Sequence, residues 1–329
     1  MLLITYGTRP EYIKVLPVIE EMKKRGMLYK TFFTGQHTDL LGLAEKPNHI
    51  LSISDGPNRL DSIVQSILNK EEIFDDITNV MVQGDTSSAF ATALAAFHRR
   101  IPVSHLEAGL RTYDKYSPYP EEFNRAAISA LAEIHLCPTH TAAKNLKKEG
   151  RKNIFVVGNT VLDHLNDVKV STSNKVIVTL HRREKLDQIQ VWFETINNLA
   201  QKYKHLDFIL PIHPNPEVKK YANLLPDVKV VDPMGHAEFI DELASCAFII
   251  TDSGGVQEEA AFLKKPCIVC RDFTERVEGL DTFSLLCKEP RQLQGLVEHW
   301  ATKVDLSDKK CPYGNGQASQ YICNLINKI

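Results

Sequence analysis

Carboxylates follow several apolar runs of this sequence, at the positions where each run gives way to a polar segment. Asp85 follows the run NVMVQ, and Glu107 follows PVSHL. Glu121 and Glu122 open a helical pattern, where acids are also common because they complement the helix dipole. Separated carboxylates at one site can divide the general acid and general base roles when their environments differ. The first half of the chain therefore predicts proton-transfer chemistry, with helix capping as the alternative for each acid.

Two short turns before predicted helices have the composition of an anion site. The segment TYGTRPEYIK places Arg9 at a helix start, where free N–H groups and a guanidinium fork suit phosphate, and Lys14 lies about one turn further on. The segment TDSGGVQEE places Ser253, Gly254 and Gly255 before another helix, where glycine lets backbone N–H groups approach a diphosphate. Solvated surface cations and a tight packing turn are the alternatives. The GxGxxG pattern of dinucleotide sites is absent.

Histidines and cations follow three apolar runs in the second half of the chain. His181 and Arg182 come directly after KVIVTL, and His213 follows the next run, DFILPI. Arg271 and Thr274 lie just beyond PCIVC. A single histidine is more often structural than catalytic, but the ends of parallel strands converge on one edge of a sheet. These residues therefore predict a second cluster that binds an anionic ligand.

The composition is that of an ordinary globular chain and excludes several classes of protein. The 329 residues suggest roughly two domains. Lys and Arg number 39 and Asp and Glu number 41, and this balance argues against nucleic acid as a partner. No apolar run is long enough for a membrane span and no signal-peptide order is visible, so we expect a cytoplasmic protein. The seven cysteines predict no disulfide framework, and Cys267 and Cys270 fit a strand better than a metal site, so no metal is expected.

Short apolar runs alternate with amphipathic segments, which is typical of βαβ units and a parallel sheet. The runs form two series separated by a polar stretch near residues 160–173. We predict an α/β fold of two doubly wound, Rossmann-like domains that face each other across a cleft, at residues 1–162 and 163–310. Residues 311–329 are expected to form a helix that packs back on the first domain. The predicted strands lie at 2–5, 30–33, 79–83, 101–105, 134–137, 154–157, 175–180, 207–212, 228–231, 247–251 and 266–270.

A series of motifs runs along nearly the whole chain, in the order GTRPEYIK, TGQH, QGDT, HLEAGLRT, YSPYPEEFNR, GNTVLDHL, HRRE, PIHPNP, TDSGGVQEEA, RDFTER and PYGNGQAS. In these motifs and their order the sequence resembles the UDP-N-acetylglucosamine 2-epimerase family. The resemblance implies a GT-B-like architecture, shared with many nucleotide-sugar glycosyltransferases, and a reaction without a nicotinamide cofactor. It implies that UDP-N-acetylglucosamine and UDP-N-acetylmannosamine interconvert without hydrolysis, by elimination and re-addition of UDP through 2-acetamidoglucal. It also implies a UDP-sugar as the bound molecule and a homodimer.

The same resemblance implies roles for individual residues. The family's catalytic carboxylates correspond to Asp85, Glu107 and Glu121. Its catalytic and phosphate-contacting histidine corresponds to His181, and an active-site lysine corresponds to Lys14. Residues implied to bind UDP or the sugar are Arg9 and Glu259, the diphosphate and ribose contacts, together with Arg125, Arg182, His213, Ser253, Gly254, Gly255, Arg271 and Thr274.

Two loops depart from the family pattern, which keeps other activities open. Leu180 and Lys185 flank the HRRE motif in place of Gly and Asn, and Phe273 and Val277 interrupt the RDTTERPE pattern. A hydrolysing epimerase that releases N-acetylmannosamine is one alternative, and an epimerase of another UDP-2-acetamido sugar is a second. An inverting glycosyltransferase and a catalytically silent sugar-nucleotide sensor are the alternatives from other classes.

A second ligand site of the family is only partly present. Many bacterial members bind an activating UDP-N-acetylglucosamine beside the catalytic site, and Gln36 matches part of that allosteric site, as do Arg182, Glu121 and His213. Asp39 stands where a second glutamine is usual, and Ser66 stands near the place of an arginine. An acid in place of an amide and a lost cation weaken binding of an anion. We therefore expect weak or absent activation and a hyperbolic rate curve, and a sigmoidal curve would contradict this.

Overall fold

A computed structural model of the chain describes residues 1–37, 46–54, 56–181, 187–213, 215–301 and 304–327. The chain forms two compact units. The first unit comprises Met1–Asp163 with the C-terminal segment Gly314–Ile329, and the second comprises His164–Tyr313. Each unit is built on one parallel sheet with helices, which confirms the predicted α/β class of two doubly wound domains.

The sheet of the first unit has seven parallel strands. They are β1 Leu2–Tyr6, β2 Tyr29–Phe33, β3 His49–Ile50, β4 Asn79–Gln83, β5 Val103–Leu106, β6 Ile134–Cys137 and β7 Ile154–Val156. Their order is β3-β2-β1-β4-β5-β6-β7. The central strands β1, β4 and β5 are buried along almost their whole length, because helices cover both faces of a parallel sheet. Since β1, β4 and β5 are neighbours, their carboxyl ends meet at one edge.

Threonine side chains cap the starts of three helices of the first unit. Thr8, Thr86 and Thr139 are the N-caps of α1, α3 and α5, and each threonine side chain accepts a hydrogen bond from a backbone N–H in the first turn. The alanine-rich α3 packs between α2 and α4, where small side chains allow close approach. The helices are α1 Arg9–Lys24, α2 Arg59–Leu68, α3 Ser87–His98, α4 Glu121–Leu131 and α5 His140–Lys148.

The sheet of the second unit has six parallel strands and a core rich in aromatic residues. Its strands are β8 Lys175–Thr179, β9 Asp207–Pro211, β10 Lys229–Val231, β11 Phe248–Thr251, β12 Cys267–Val269 and β13 Ser284–Leu286, in the order β10-β9-β8-β11-β12-β13. Trp192, Phe193 and Phe248 are buried in its largest apolar cluster. The helices are α6 Ile189–Lys202, α7 Pro216–Lys219, α8 His236–Ser245, α9 Gly254–Phe262 and α10 Leu293–Ala301.

The C-terminal helix α11, Ala318–Ile326, packs against α1. Ile322 and Cys323 join the apolar cluster that covers one face of the first sheet. The carboxylate of Asp163 accepts hydrogen bonds from the N–H groups of Ala318 and Ser319, at 3.0 and 2.7 Å. This carboxylate therefore satisfies the free N–H groups at the start of the helix.

The cysteines are free thiols, and six of the seven are buried. Burial raises the pKa of the Cys137 and Cys246 thiols to about 12, so these side chains are unreactive. Cys267 lies in β12 and Cys270 follows that strand. Across the described ranges, no helix is both long enough and apolar enough to span a membrane.

Candidate active site

Lys14 and Glu107 are in direct contact in the first unit. The Lys14 Nζ lies 2.6 Å from both carboxylate oxygens of Glu107, and Gln83, the last residue of β4, donates a further hydrogen bond to Glu107 Oε2. Glu107 follows β5 with a φ of +64°, a conformation that is uncommon for residues other than glycine. Such backbone strain clusters at functional sites. The Glu107 side chain is only 8% exposed, so its carboxylate is held by fixed donors and not by bulk water.

Asp85 and Arg125 form a second ion pair. The Arg125 Nε and Nη2 both donate to Asp85 Oδ2, with the Nε–Oδ2 distance at 3.1 Å. The Nη1 of Arg125 donates to Glu122 Oε2 at 3.2 Å, and Glu122 Oε1 accepts from the Tyr113 N–H at 2.9 Å. Arg125 and Glu122 are buried, whereas the Asp85 side chain is 28% exposed. Asp85 is therefore the member of this group that a ligand can reach.

The two ion pairs follow neighbouring strands. Gly84 links Gln83 to Asp85, its N–H donates to Leu106 O, and a Cβ placed on it would lie 3.7 Å from Glu107 Oε2. The His105 Nε2 donates to Gly84 O at 2.8 Å. Burial lowers the pKa of His105 to about 3, so its ring is neutral. The structure thus brings Lys14, Asp85 and Glu107 to one edge of the first sheet.

Two further predicted residues begin helices of the first unit. Arg9 is the first residue of α1, is exposed to solvent, and follows the N-cap Thr8. Glu121 is the first residue of α4 and is partly buried. An exposed guanidinium at a helix start is well placed to meet an anion.

The candidate allosteric residues are only partly described. The Gln36 Oε1 accepts hydrogen bonds from the N–H and the Oγ of Ser88, at 3.2 and 2.7 Å. Ser66 lies on α2, and its Oγ accepts from the Ser54 N–H. Asp39 lies outside the described residues. The side-chain oxygen of Gln36 is therefore already engaged within the first unit.

His181 and His213 stack on each other in the second unit. Their ring centroids are 4.9 Å apart and their planes differ by 6°. Asp252 follows β11, and its Oδ2 accepts from the His181 N–H at 2.7 Å while its Oδ1 lies 3.4 Å from His181 Nδ1. Partial desolvation and the neighbouring His181 lower the pKa of His213, which favours a neutral ring there. Arg182 lies outside the residues that the structure describes.

The turn from Ser253 to Gly255 opens α9 directly after β11. Ser253 is the N-cap, so the first N–H groups of the helix and its positive end lie at this turn. A Cβ on Gly254 would lie 3.2 Å from the Arg276 Cζ, which explains why a residue without a side chain stands there. The buried Arg276 donates its Nε–H to Glu258 Oε1 at 3.0 Å. The turn therefore has the geometry of an anion site, and the guanidinium of Arg276 lies next to Gly254.

The three other predicted residues of the second unit are buried and hydrogen-bonded. Glu259 Oε1 lies 2.9 Å from the Nε2 of His236, which fixes the orientation of the carboxylate. Thr274 Oγ1 donates to the Gln257 side chain at 2.9 Å. Arg271 Nη1 donates to Glu275 Oε2 at 3.0 Å. Thr274 and Arg271 thus hold the loop after β12 in place.

Several functional candidates were not singled out by the sequence analysis. Four residues each form a hydrogen bond to a predicted site residue or to the residue next to it in the chain. They are Gln83, His105, Asp252 and His236. Gln83, His105 and Asp252 lie within the motifs QGDT, HLEAGLRT and TDSGGVQEEA, and this position was the available signal, whereas His236 lies in none of the motifs. Among the described residues, no group of three or more His, Cys, Asp and Glu side chains could hold a metal ion.

Substitution of Asp252 by Asn tests the role of this carboxylate behind His181. The amide keeps an acceptor for the His181 N–H but removes the negative charge beside Nδ1. We expect turnover to fall about tenfold, the value of one hydrogen bond that orients a reacting group. Steady-state turnover measures the effect of the substitution. Asp207→Asn is the matched control, because Asp207 binds Asn174 at the opposite end of a strand, and an equal loss in that variant would contradict the assignment.

Comparisons with known proteins give consistent results. A family model described as UDP-N-acetylglucosamine 2-epimerase matches residues 20–327. A UDP-N-acetylglucosamine 2-epimerase of Bacillus subtilis is 38% identical over 96% of this chain and 92% of its own length, and one of Campylobacter jejuni is 36% identical over 99% and 97%. The crystal structure of the Neisseria meningitidis enzyme bound to UDP-GlcNAc is similar with a TM-score of 0.87 and 34% identity over 100% of both chains. The Methanocaldococcus jannaschii enzyme in complex with UDP-GlcNAc and UDP has a TM-score of 0.84 and 32% identity, covering 100% and 99% of the chains.

Proposed function

This chain belongs to the UDP-N-acetylglucosamine 2-epimerase family, and we propose that it is a non-hydrolysing 2-epimerase that interconverts UDP-GlcNAc and UDP-ManNAc. The observation that carries the proposal is the contact between Lys14 and Glu107, with Asp85 after the neighbouring strand. The two solved relatives in complex with UDP-GlcNAc support the choice of substrate.

The reaction needs two proton-transfer groups near C2 of the sugar. A carboxylate removes the C2 proton while the C1–O bond to UDP breaks, which leaves 2-acetamidoglucal with a double bond between C1 and C2. UDP then adds back to C1 while a proton is delivered to the opposite face of C2. Glu107 and Asp85 have different partners, Lys14 and Arg125, so they can hold protons independently of each other.

The second unit supplies the groups that suit a nucleoside diphosphate. The N–H groups of the Ser253–Gly255 turn can donate to the diphosphate, and the oriented Glu259 carboxylate can accept from ribose hydroxyls. His181 is held by Asp252 and can donate to the departing phosphate. Stabilising the leaving UDP is needed in both directions, because the same diphosphate returns as the nucleophile.

The decisive experiment is proton and phosphorus NMR of the purified protein with UDP-GlcNAc in D₂O. We expect UDP-ManNAc to appear with deuterium at C2, while most UDP stays attached to sugar. Exchange at C2 is the essential readout, because it reports removal of that proton by an enzyme group. A sample of the Glu107→Gln variant serves as the matched control and should show no exchange above background.

Two other outcomes would redirect the assignment. Accumulation of free N-acetylmannosamine with an equal amount of UDP would contradict the non-hydrolysing reaction and identify the hydrolysing one. A folded protein that binds UDP but exchanges no C2 proton would contradict UDP-GlcNAc as substrate. The exposed Phe273 in the loop after β12 would then be the first place to look for a different sugar specificity.

A cytoplasmic location and a homodimer stay predictions of this proposal. The free thiols are consistent with a reducing compartment. Light scattering during size-exclusion chromatography measures the oligomeric state directly, and a single mass near 37.1 kDa would contradict the dimer.

A further inference from the structure

The buried side chain of Glu11 connects two loops at the candidate active site. Its Oε2 accepts from the Gly7 N–H at 3.0 Å and from the Thr8 hydroxyl at 2.8 Å, both in the loop after β1. Its Oε1 accepts from the hydroxyl of Thr86 at 2.7 Å, in the loop after β4. The first loop, residues 7–8, leads into Arg9 and is called the Arg9 loop, and the second, residues 84–86, contains Asp85 and is called the Asp85 loop. One carboxylate therefore spans the two segments that carry these predicted site residues.

A helix cap explains only part of this arrangement. Thr8 and Glu11 occupy the N-cap and third positions of α1, and Thr8 Oγ1 accepts from the Glu11 N–H, as in a capping box. The bond to Thr86 belongs to a different helix, because Thr86 is itself the N-cap of α3 and accepts from the Ala89 N–H at 3.0 Å. Glu11 thus joins the N-termini of α1 and α3.

The environment of Glu11 makes its charge costly. The residue is 2% exposed, and the donors to its side chain described above are neutral groups. Desolvation raises the pKa of Glu11 to about 7, against the lowering effect of its hydrogen bonds. The charged and titratable groups on the elements that meet at this edge are Arg9 and Lys14 on α1, His37 after β2, Asp85 after β4, Glu107 after β5, and Glu121, Glu122 and Arg125 on α4.

We propose that Glu11 is a positioning residue that couples the Arg9 loop to the Asp85 loop and thereby sets the geometry of both during epimerisation. The structural coupling stands on the hydrogen bonds alone, whereas its effect on turnover rests on the proposed function. Ionised Glu11 attracts the donors of both loops most strongly, because hydrogen bonds to a charged acceptor are stronger than neutral ones. The individual hydrogen bonds to both loops are therefore strongest when Glu11 is a carboxylate, although burying that charge lowers the stability of the fold as a whole.

The structural part is tested by backbone amide NMR as a function of pH, without substrate. We expect the Gly7 and Ala89 amide resonances to titrate with one common midpoint near pH 7 in the wild type. The Glu11→Gln variant should lose both titrations while keeping its fold, since an amide can accept from Gly7 and Thr8 and donate to Thr86. If only the Gly7 amide resonance titrated, Glu11 would act only as a cap of α1, and the proposed coupling of the two loops would be wrong.

The functional part is tested by the ratio of kcat/KM for the wild type and for Glu11→Gln across pH 5.5 to 8.5. We expect this ratio to rise with pH through a midpoint near 7, because only the wild type gains a charge. Glu11→Ala should be slower than Glu11→Gln at every pH, since it cannot bridge the loops. Asn58→Ala is the matched control, because it removes the N-cap of α2 in the same unit and should give a pH-independent ratio.

The outcomes separate this proposal from the proposed function. Common titration of the two amides without turnover of UDP-GlcNAc would overturn the reaction and leave the coupling intact. A ratio that does not change with pH in an active enzyme would overturn the positioning role. The pH dependence of the thermal unfolding temperature is an independent test. Because the pKa of Glu11 is raised in the folded state, the wild type should lose stability as pH rises from about 4.5 to about 7. Glu11→Gln should lack this loss.

Discussion

Substitution of Glu107 by Gln is expected to lower kcat for epimerisation by about 10³-fold, within the range typical for loss of a general acid or base. The amide keeps the size of the side chain and an oxygen that can accept from Lys14, whereas Gln83 can rotate its own amide to present an acceptor. The fold should therefore be retained. What the variant lacks is a group that can take up and release a proton beside C2.

The measurement combines steady-state turnover with the rate of deuterium incorporation at C2. Both rates should fall together, while the affinity for UDP, which we assign to the second unit, should stay unchanged. Glu149→Gln is the matched control, since Glu149 also pairs with a cation of the first unit, at 2.8 Å from Arg111. Retention of C2 exchange in Glu107→Gln within a factor of about ten of the wild type would assign the proton transfer to another group.

The strand pattern was predictable because buried parallel strands are continuous apolar runs. Each of the predicted runs overlaps a strand of the structure, from β1 to β12. No apolar run was predicted at β3 or β13, which lie at sheet edges and are two and three residues long. β3 has only the two residues His49 and Ile50, so no apolar run marks it and its pairing with β2 alone defines it.

The site was predictable as a set of positions but not as a set of contacts. Strand ends converge in a parallel sheet, so Asp85 and Glu107 could be placed near each other from their spacing alone. The positive φ of Glu107 and its bond to Gln83 depend on tertiary packing that no local pattern encodes. Arg125 shows the same limit, since the resemblance implies a ligand-binding role, whereas the structure buries its guanidinium against Asp85 and Glu122.

Substitution of Arg125 by Ala is expected to lower the free energy of unfolding of the first unit by about 3 kcal/mol, as for other buried ion pairs that lose one partner. Arg125 is 5% exposed, and its loss leaves the buried Glu122 carboxylate without this guanidinium. Chemical denaturation followed by circular dichroism measures the change. Arg111→Ala is the control, because it breaks another ion pair with a buried arginine in the same unit. It should also lower the free energy of unfolding, but it should reduce turnover less than Arg125→Ala does.

The double variant Arg125→Ala/Glu122→Gln separates the structural role of Arg125 from its role at Asp85. Neutralising Glu122 removes the buried charge, and the amide can still accept from the Tyr113 N–H, so much of the lost stability should return. Turnover should not return, because Asp85 still lacks the guanidinium that fixes its carboxylate. Recovery of stability and turnover together would show that Arg125 acts only through folding. Recovery of stability alone would show that its bond to Asp85 positions a catalytic carboxylate.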